Sequence, residues 1–177
     1  MCVCAPLLLA GSGCKRSEYV SPAAAVAAAR QNTRQMDADR QQMELVPPPS
    51  KNLYLAVRSL SEWNNPFLTI QDDLLTLHIL QPDPISASMG QGTLLRPTSA
   101  RRRDLTIRLS DLPDALTSLP ENNWPYGRVI AIEEQHGISA ANRPVMRRNL
   151  EATVKMLTDL GIVVDEWNDN GSSNTMR

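Results

Sequence analysis

Three consecutive prolines, Pro47, Pro48 and Pro49, divide this chain more sharply than any other feature. Proline lacks an amide hydrogen and its ring clashes with the preceding turn, so no helix runs through such a stretch and no central strand contains it. The segments before Pro47 and after Pro49 must therefore be separate elements. They also differ in kind. Residues 15–46 are polar and Ala-rich, whereas residues 50–168 carry the apolar runs and turn residues of a packed domain. On the near side, Ser21 and Pro22 suit the cap and first position of a helix over residues 22–45. Ala29, Met36 and Met43 recur every seven residues, but Thr33 and Arg40 take the intermediate core positions of a heptad. The pattern predicts a solvated helical or disordered spacer rather than a coiled coil. As a helix it spans roughly 35 Å.

The first fourteen residues form a second distinct block. Leu7, Leu8 and Leu9 lie in a short apolar run that passes through Gly11, Ser12 and Gly13 to Cys14, and charge begins at once with Lys15-Arg16. A short apolar core followed by small residues is the pattern of a cleaved export signal. The block resembles a bacterial lipoprotein signal, in which the cysteine after the small residues receives lipid and becomes the mature N-terminus. The resemblance implies a signal peptide at 1–13, lipid attachment at Cys14 and a lipid-anchored spacer at 14–49. It also implies a cell-envelope location facing the periplasm. Lys15 stands where Asp signals inner-membrane retention in the resembling proteins, which favours the outer membrane. The apolar run falls short of the ~20 residues that span a bilayer, so lipid would be the membrane contact.

Composition narrows the function classes. A formal net charge of −1 and an aromatic content of 4% argue against nucleic acid as a partner, which calls for a basic face or stacking platform. Cys2, Cys4 and Cys14 are the three cysteines of the chain, and all precede Lys15. The remainder therefore has neither a disulfide framework nor a thiolate metal site.

Within residues 50–168 the periodicities alternate. Residues 53–57 read as a strand or short helix, and Asn64-Asn65-Pro66 as a turn. Residues 67–70 and 74–80 read as two strands around Asp72-Asp73. A long loop rich in Pro and Gly comes next, ending at Arg101-Arg102-Arg103. Residues 105–109 alternate as a half-buried strand, and Ser110 is placed to cap a short helix with Leu112, Ala115, Leu116 and Leu119 on one face. Residues 129–132 form an apolar strand. Asn142 and Pro144 open the strongest helix, with Met146, Leu150, Val154, Leu157 and Leu160 on its inner face. Arg147, Glu151 and Lys155 form a ladder opposite, and Gly161 ends the helix. Residues 162–167 return as a strand, and 169–177 read as a disordered tail. The expected fold is α+β: a two-layer sandwich with a mixed sheet of about five strands and two helices on one face.

Chemistry-bearing motifs are sparse. His78 lies inside a strand pattern, where a surface-facing or hydrogen-bonded structural role is expected, and His136 falls in a loop. A zincin site needs two histidines one turn apart around a glutamate, so no metal and no cofactor are expected. No serine of the domain sits in a Gly-x-Ser-x-Gly elbow. Asp72/Asp73, Glu133/Glu134 and Asp165/Glu166 are sequence neighbours, which strands point to opposite faces, so solvated turn and strand-end roles are expected for them. Residues 89–93 are glycine-rich without the Lys of a phosphate loop. Arg96, Arg101, Arg102 and Arg103 form the one charge concentration, a candidate contact for anionic lipid or an acidic polymer. Trp124, Tyr126 and Arg128, around Pro125 and Gly127, are a candidate partner surface; packing over the sheet end is the alternative.

The two-stranded unit at 67–80, the Leu-rich helix at 112–119, the run Pro125-Tyr126-Gly127-Arg128-Val129, and Leu160-Gly161-Ile162 before a strand together resemble the periplasmic domain of the ExbD/TolR biopolymer-transport family, over residues 67–167. Here the Tyr-Gly run opens a strand, where that family's opens its last helix. The family's transmembrane helix with its proton-carrying Asp has no counterpart in the sequence, so no energy-coupling role carries over, and the resemblance implies only a small α+β envelope domain. The sequence as a whole leads to a non-enzymatic, lipid-anchored envelope protein with an α+β interaction domain. The alternatives are an accessory subunit of an envelope transport complex and an envelope-polymer hydrolase whose site is assembled from distant residues.

Overall fold

The computed structural model describes residues 21–81 and 101–167; Cys14, Arg96, the glycine-rich run 89–93 and the tail 169–177 lie outside the described residues. The fold is α+β. Strands β1 (Phe67–Ile70), β2 (Leu75–Gln81), β3 (Arg101–Ile107), β4 (Val129–Glu134) and β5 (Val163–Trp167) form one open mixed sheet in the order β3-β2-β1-β4-β5. The β3–β2 and β2–β1 pairs are antiparallel, whereas β1–β4 and β4–β5 are parallel.

The helices are α1 (Pro22–Met43), α2 (Lys51–Tyr54), α3 (Leu112–Thr117) and α4 (Arg143–Asp159). Ser21 caps α1 as expected, its hydroxyl accepting from the Ala24 amide at 3.2 Å. Residues 53–57, undecided between strand and helix, contribute to the single turn of α2. The cap of α3 is Asp111 rather than Ser110, because a 3₁₀ turn at Leu109–Asp111 delays the helix, and the Ser110 hydroxyl donates to the Asp111 carboxylate at 2.9 Å. On α4, Lys155 pairs forward with Asp159 at 2.6 Å, rather than back with Glu151. Gly161, at φ +76°, closes α4 through amide bonds from Gly161 to the Thr158 carbonyl and from Ile162 to that of Leu157.

The run Arg101-Arg102-Arg103, expected in a loop, is the first half of β3. All seven residues of β2 find partners in β3, from Leu75↔Ile107 to Gln81↔Arg101, and this ladder draws the arginines into the strand. An edge strand tolerates them because all three residues remain exposed.

Period-two burial gives the sheet two unlike faces. Leu68, Ile70, Leu75, Leu77, Ile79, Ile130 and Ile132 face one way and pack against Leu112 and Leu116 of α3 and Met146 and Leu157 of α4. The last turns of α1 join this core through Met43 (1% exposed), while residues 22–35 are exposed throughout. The core therefore begins before the triple proline. The opposite face is covered over half its extent by a smaller cluster of Tyr54, Trp63, Phe67, Tyr126, Val129, Ala131 and Trp167. Its other half is polar and uncovered by any described helix.

Candidate functional site

Trp124 and Tyr126 are 3% and 8% exposed, so they are packed inside the domain rather than presented as a docking edge. Two connectors clasp the turn that holds them. From one side the proline run supplies the Pro47 carbonyl, which accepts from the Arg128 amide at 2.9 Å, and Ser50, whose amide donates to the Tyr126 carbonyl at 2.9 Å. From the other side the buried Asn65 amide group donates to the Gly127 and Val129 carbonyls and accepts from the Tyr126 amide, each at 2.8 Å. Gly127 adopts φ +78°, a region that L side chains rarely enter. Arg128 is half-buried, with its Nε lacking a hydrogen-bond partner among the described residues. Trp63 packs edge-on against Tyr126 at 5.3 Å and Trp167 at 6.0 Å. Buried Asp165, expected in solvent, accepts from the Trp167 indole at 2.9 Å. Burial, and after it the Asp165 carboxylate, hold the Tyr54 phenol above its ordinary value of 10.0.

The polar half of this face carries a row of side chains that cross four strands. His78 Nδ1 lies 2.6 Å from Asp104 Oδ1, and Nε2 lies 2.9 Å from the Thr69 hydroxyl. That hydroxyl donates to Glu133 Oε1 at 2.8 Å. The imidazole also stacks on Phe67, with centroids 4.1 Å apart and planes 14° from parallel. Register explains the assembly, since His78 stands opposite both Phe67 and Asp104, and Thr69 opposite Glu133. A hydroxyl has one proton. His78 Nε2 and the Glu133 carboxylate therefore compete for it, and only one of the two can accept from Thr69.

Threonine, histidine and aspartate in hydrogen-bonded order are the residue types of a nucleophilic triad. Two observations set this row apart from a working one. The Thr69 hydroxyl faces the Glu133 carboxylate at 2.8 Å as well as the histidine at 2.9 Å, so its one proton is contested. Thr69 also lies within β1, a strand paired on both sides, so the backbone amides around it serve the ladders instead of forming an oxyanion hole. The row is a satisfied polar network, the role expected for His78. Its members Thr69 and Asp104 carry no sequence signal of their own. The pairing of Asp104 with His78 depends on the β2–β3 register across a long connection.

Arg102 is exposed, but its head group is held against the domain. Its guanidinium donates to the Leu60 carbonyl at 3.1 Å, with the Trp63 carbonyl 3.4 Å away, and lies 4.8 Å from the Phe67 ring centre. Arg101 and Arg103 are exposed. A separate open-sided cleft of about 640 Å³ lies at the start of α4, lined by Glu134, Gln135, Gly137, Ile138, Arg143 and Arg147. Glu133 and Glu134 alternate as strand neighbours do, one joining the row and the other lining this cleft. Among the described residues no three His, Cys, Asp or Glu side chains gather as a metal site, and no helix is long and apolar enough to cross a membrane.

Comparison with known proteins gives no match: no family model, no curated protein and no solved structure is similar to this chain.

Proposed function

We propose that this chain is a lipid-anchored cell-envelope protein whose α+β domain is an interaction module held on a helical spacer. The carrying observation is the exposed arm of α1. Residues 22–35 are exposed throughout, while Met36, Asp39 and Met43 engage the domain. Fourteen such residues extend about 21 Å at 1.5 Å per residue. Helices usually gain their stability by packing a face, and an unpacked arm of this length acts as a spacer. Its N-terminal end leads toward Cys14, whose context resembles a lipid-attachment site. Fractionation of the expressing bacterium tests the reading. The chain should stay with membranes after an alkaline wash and move to the soluble fraction in Cys14→Ser; equal distribution of both forms would refute it.

A second reading, an envelope-polymer hydrolase, draws support from the Thr69–His78–Asp104 order. Against it, none of Thr69, His78, Asp104 and Glu133 lines the described cleft. Turnover of p-nitrophenyl acetate that disappears in Thr69→Ala, with the fold intact, would favour that reading; no turnover above buffer counts against it.

A further inference from the structure

The cleft at the start of α4 draws its lining from three parts of the chain. Glu134 comes from the end of β4, Ile138 from the connector, and Arg143, Pro144, Met146 and Arg147 from the first turns of α4. Its volume of about 640 Å³ is that of a small-molecule site. Arg143 and Arg147 stand one turn apart, so they share a face of the helix. Both are exposed, and neither guanidinium has a hydrogen-bond or ion-pair partner among the described residues. The surrounding acids do not neutralise them. Glu151, one turn beyond Arg147 and suited by spacing to pair with it, makes no ion pair. Asp72 accepts from the Asn142 side chain and lies outside the lining. Glu134 is the single acid of the lining, so two cations stand against one anion.

The helix adds to this positive potential. Partial positive charge gathers at a helix N-terminus, and the first turn of α4 holds no acid to offset it. Its amides are already engaged, Arg143 with the Ser139 carbonyl, and Val145 and Met146 with that of Asn142. Pro144 has no amide hydrogen. Recognition of an anion therefore falls to the two guanidinia, whose planar donor forks match carboxylate and phosphate oxygens.

We infer that this cleft binds a small organic oxyanion, a carboxylate or a phosphate ester. Arg143 and Arg147 hold the charged group, and the apolar part of the ligand lies against Ile138 and Pro144. Two cations at the positive end of a helix cost the fold stability, and a bound anion offsets that cost. The inference goes beyond the anchored interaction module, since it gives the domain a ligand of its own and does not depend on Cys14.

The test titrates the nitrogen-15-labelled full-length chain, carrying Cys14→Ser, with phenyl phosphate, benzoate and inorganic phosphate while amide shifts are followed. Saturable shifts confined to residues 134–147 are expected with at least one organic probe, and the tighter of the two identifies the preferred charged group. Inorganic phosphate, which lacks an apolar part, should bind more weakly. Arg143→Gln/Arg147→Gln should weaken binding about tenfold or more. Arg148→Gln, exposed on the same helix but outside the lining, should change it by less than about twofold. Neither cleft arginine is buried, so the double variant should unfold at the temperature of the parent or above it. Shifts that fail to saturate overturn the inference. So do binding unchanged in the double variant, an equal loss in Arg148→Gln, and inorganic phosphate binding as tightly as both organic probes. Failure here leaves lipid attachment at Cys14 untouched, since no lipidated species enters the experiment.

Discussion

Pro48 occupies the space in which a side chain at Gly127 would stand. A Cβ built on Gly127 meets the Pro48 carbonyl oxygen and comes within 2.7 Å of that of Pro47. The feature that splits the sequence into spacer and domain thus also closes over the entrance to β4, and with Asn65 it holds the turn that buries Trp124 and Tyr126.

Gly127→Ala combines a left-handed backbone with a backbone clash. It should destabilise the domain by at least about 2 kcal/mol, more than the roughly 1–2 kcal/mol of conformation alone. Gly137 is the internal control, with φ +77° and no atom within 4 Å of its built Cβ. Gly137→Ala should show only the conformational part. Urea unfolding of both variants checks the difference, and equal losses would remove the clasp from the explanation.

Asn65 is the second half of that clasp. Replacing it with Ala leaves the Tyr126 amide and the Gly127 and Val129 carbonyls without their side-chain partner in a buried setting. The loss should reach roughly 2–4 kcal/mol. Asn65→Asp keeps the acceptor for Tyr126 but loses both donors, and should be no better than Ala. Unfolding midpoints of the two variants provide the check.

The elements of the fold were legible because their periodicities are local. The Met146 to Leu160 face, the short strand 129–132 and the two-stranded unit around Asp72 all match the structure within a few residues. The misplacements share one cause, a dependence on partners distant in sequence. Arg101 to Arg103 become strand because β2 offers a ladder for them. Asp165 is buried because the aromatic cluster closes over it. The polar row was illegible for the same reason, since only the register between β2 and β3 brings Asp104 to His78. Trp124 and Tyr126 stand out in sequence as large aromatics beside Pro and Gly, but that pattern does not distinguish a buried turn from a docking edge.

Within the row, the half-buried Thr69–Glu133 bond should matter more than the one made by Asp104. The Asp104 side chain is 62% exposed, and Asp104→Asn should change stability by no more than about 0.5 kcal/mol after solvent screening. Thr69→Val removes both hydroxyl contacts, and with Glu133→Ala should give a coupling near ~1 kcal/mol in a double-mutant cycle. A cycle closing at zero would mean that the bond contributes nothing to stability.

Tyr54 makes stability sensitive to alkali. Its phenol is held above 10.0 in the folded chain by burial first and Asp165 second, so the folded state keeps a proton that the unfolded chain releases. This contribution is fully present below pH ~10 and is lost as pH rises beyond it. Tyr54→Phe should flatten the decline in urea stability between about pH 9 and 11. An unchanged slope would mean that another group governs it.

Lipid on Cys14, holding the domain at the cell envelope through the α1 arm, is the central proposal. Intact mass measurement of the protein purified from membranes tests it most directly. The expected species is a chain that begins at Cys14 and carries acyl mass, absent in Cys14→Ser. An unacylated chain retaining Met1 would contradict it.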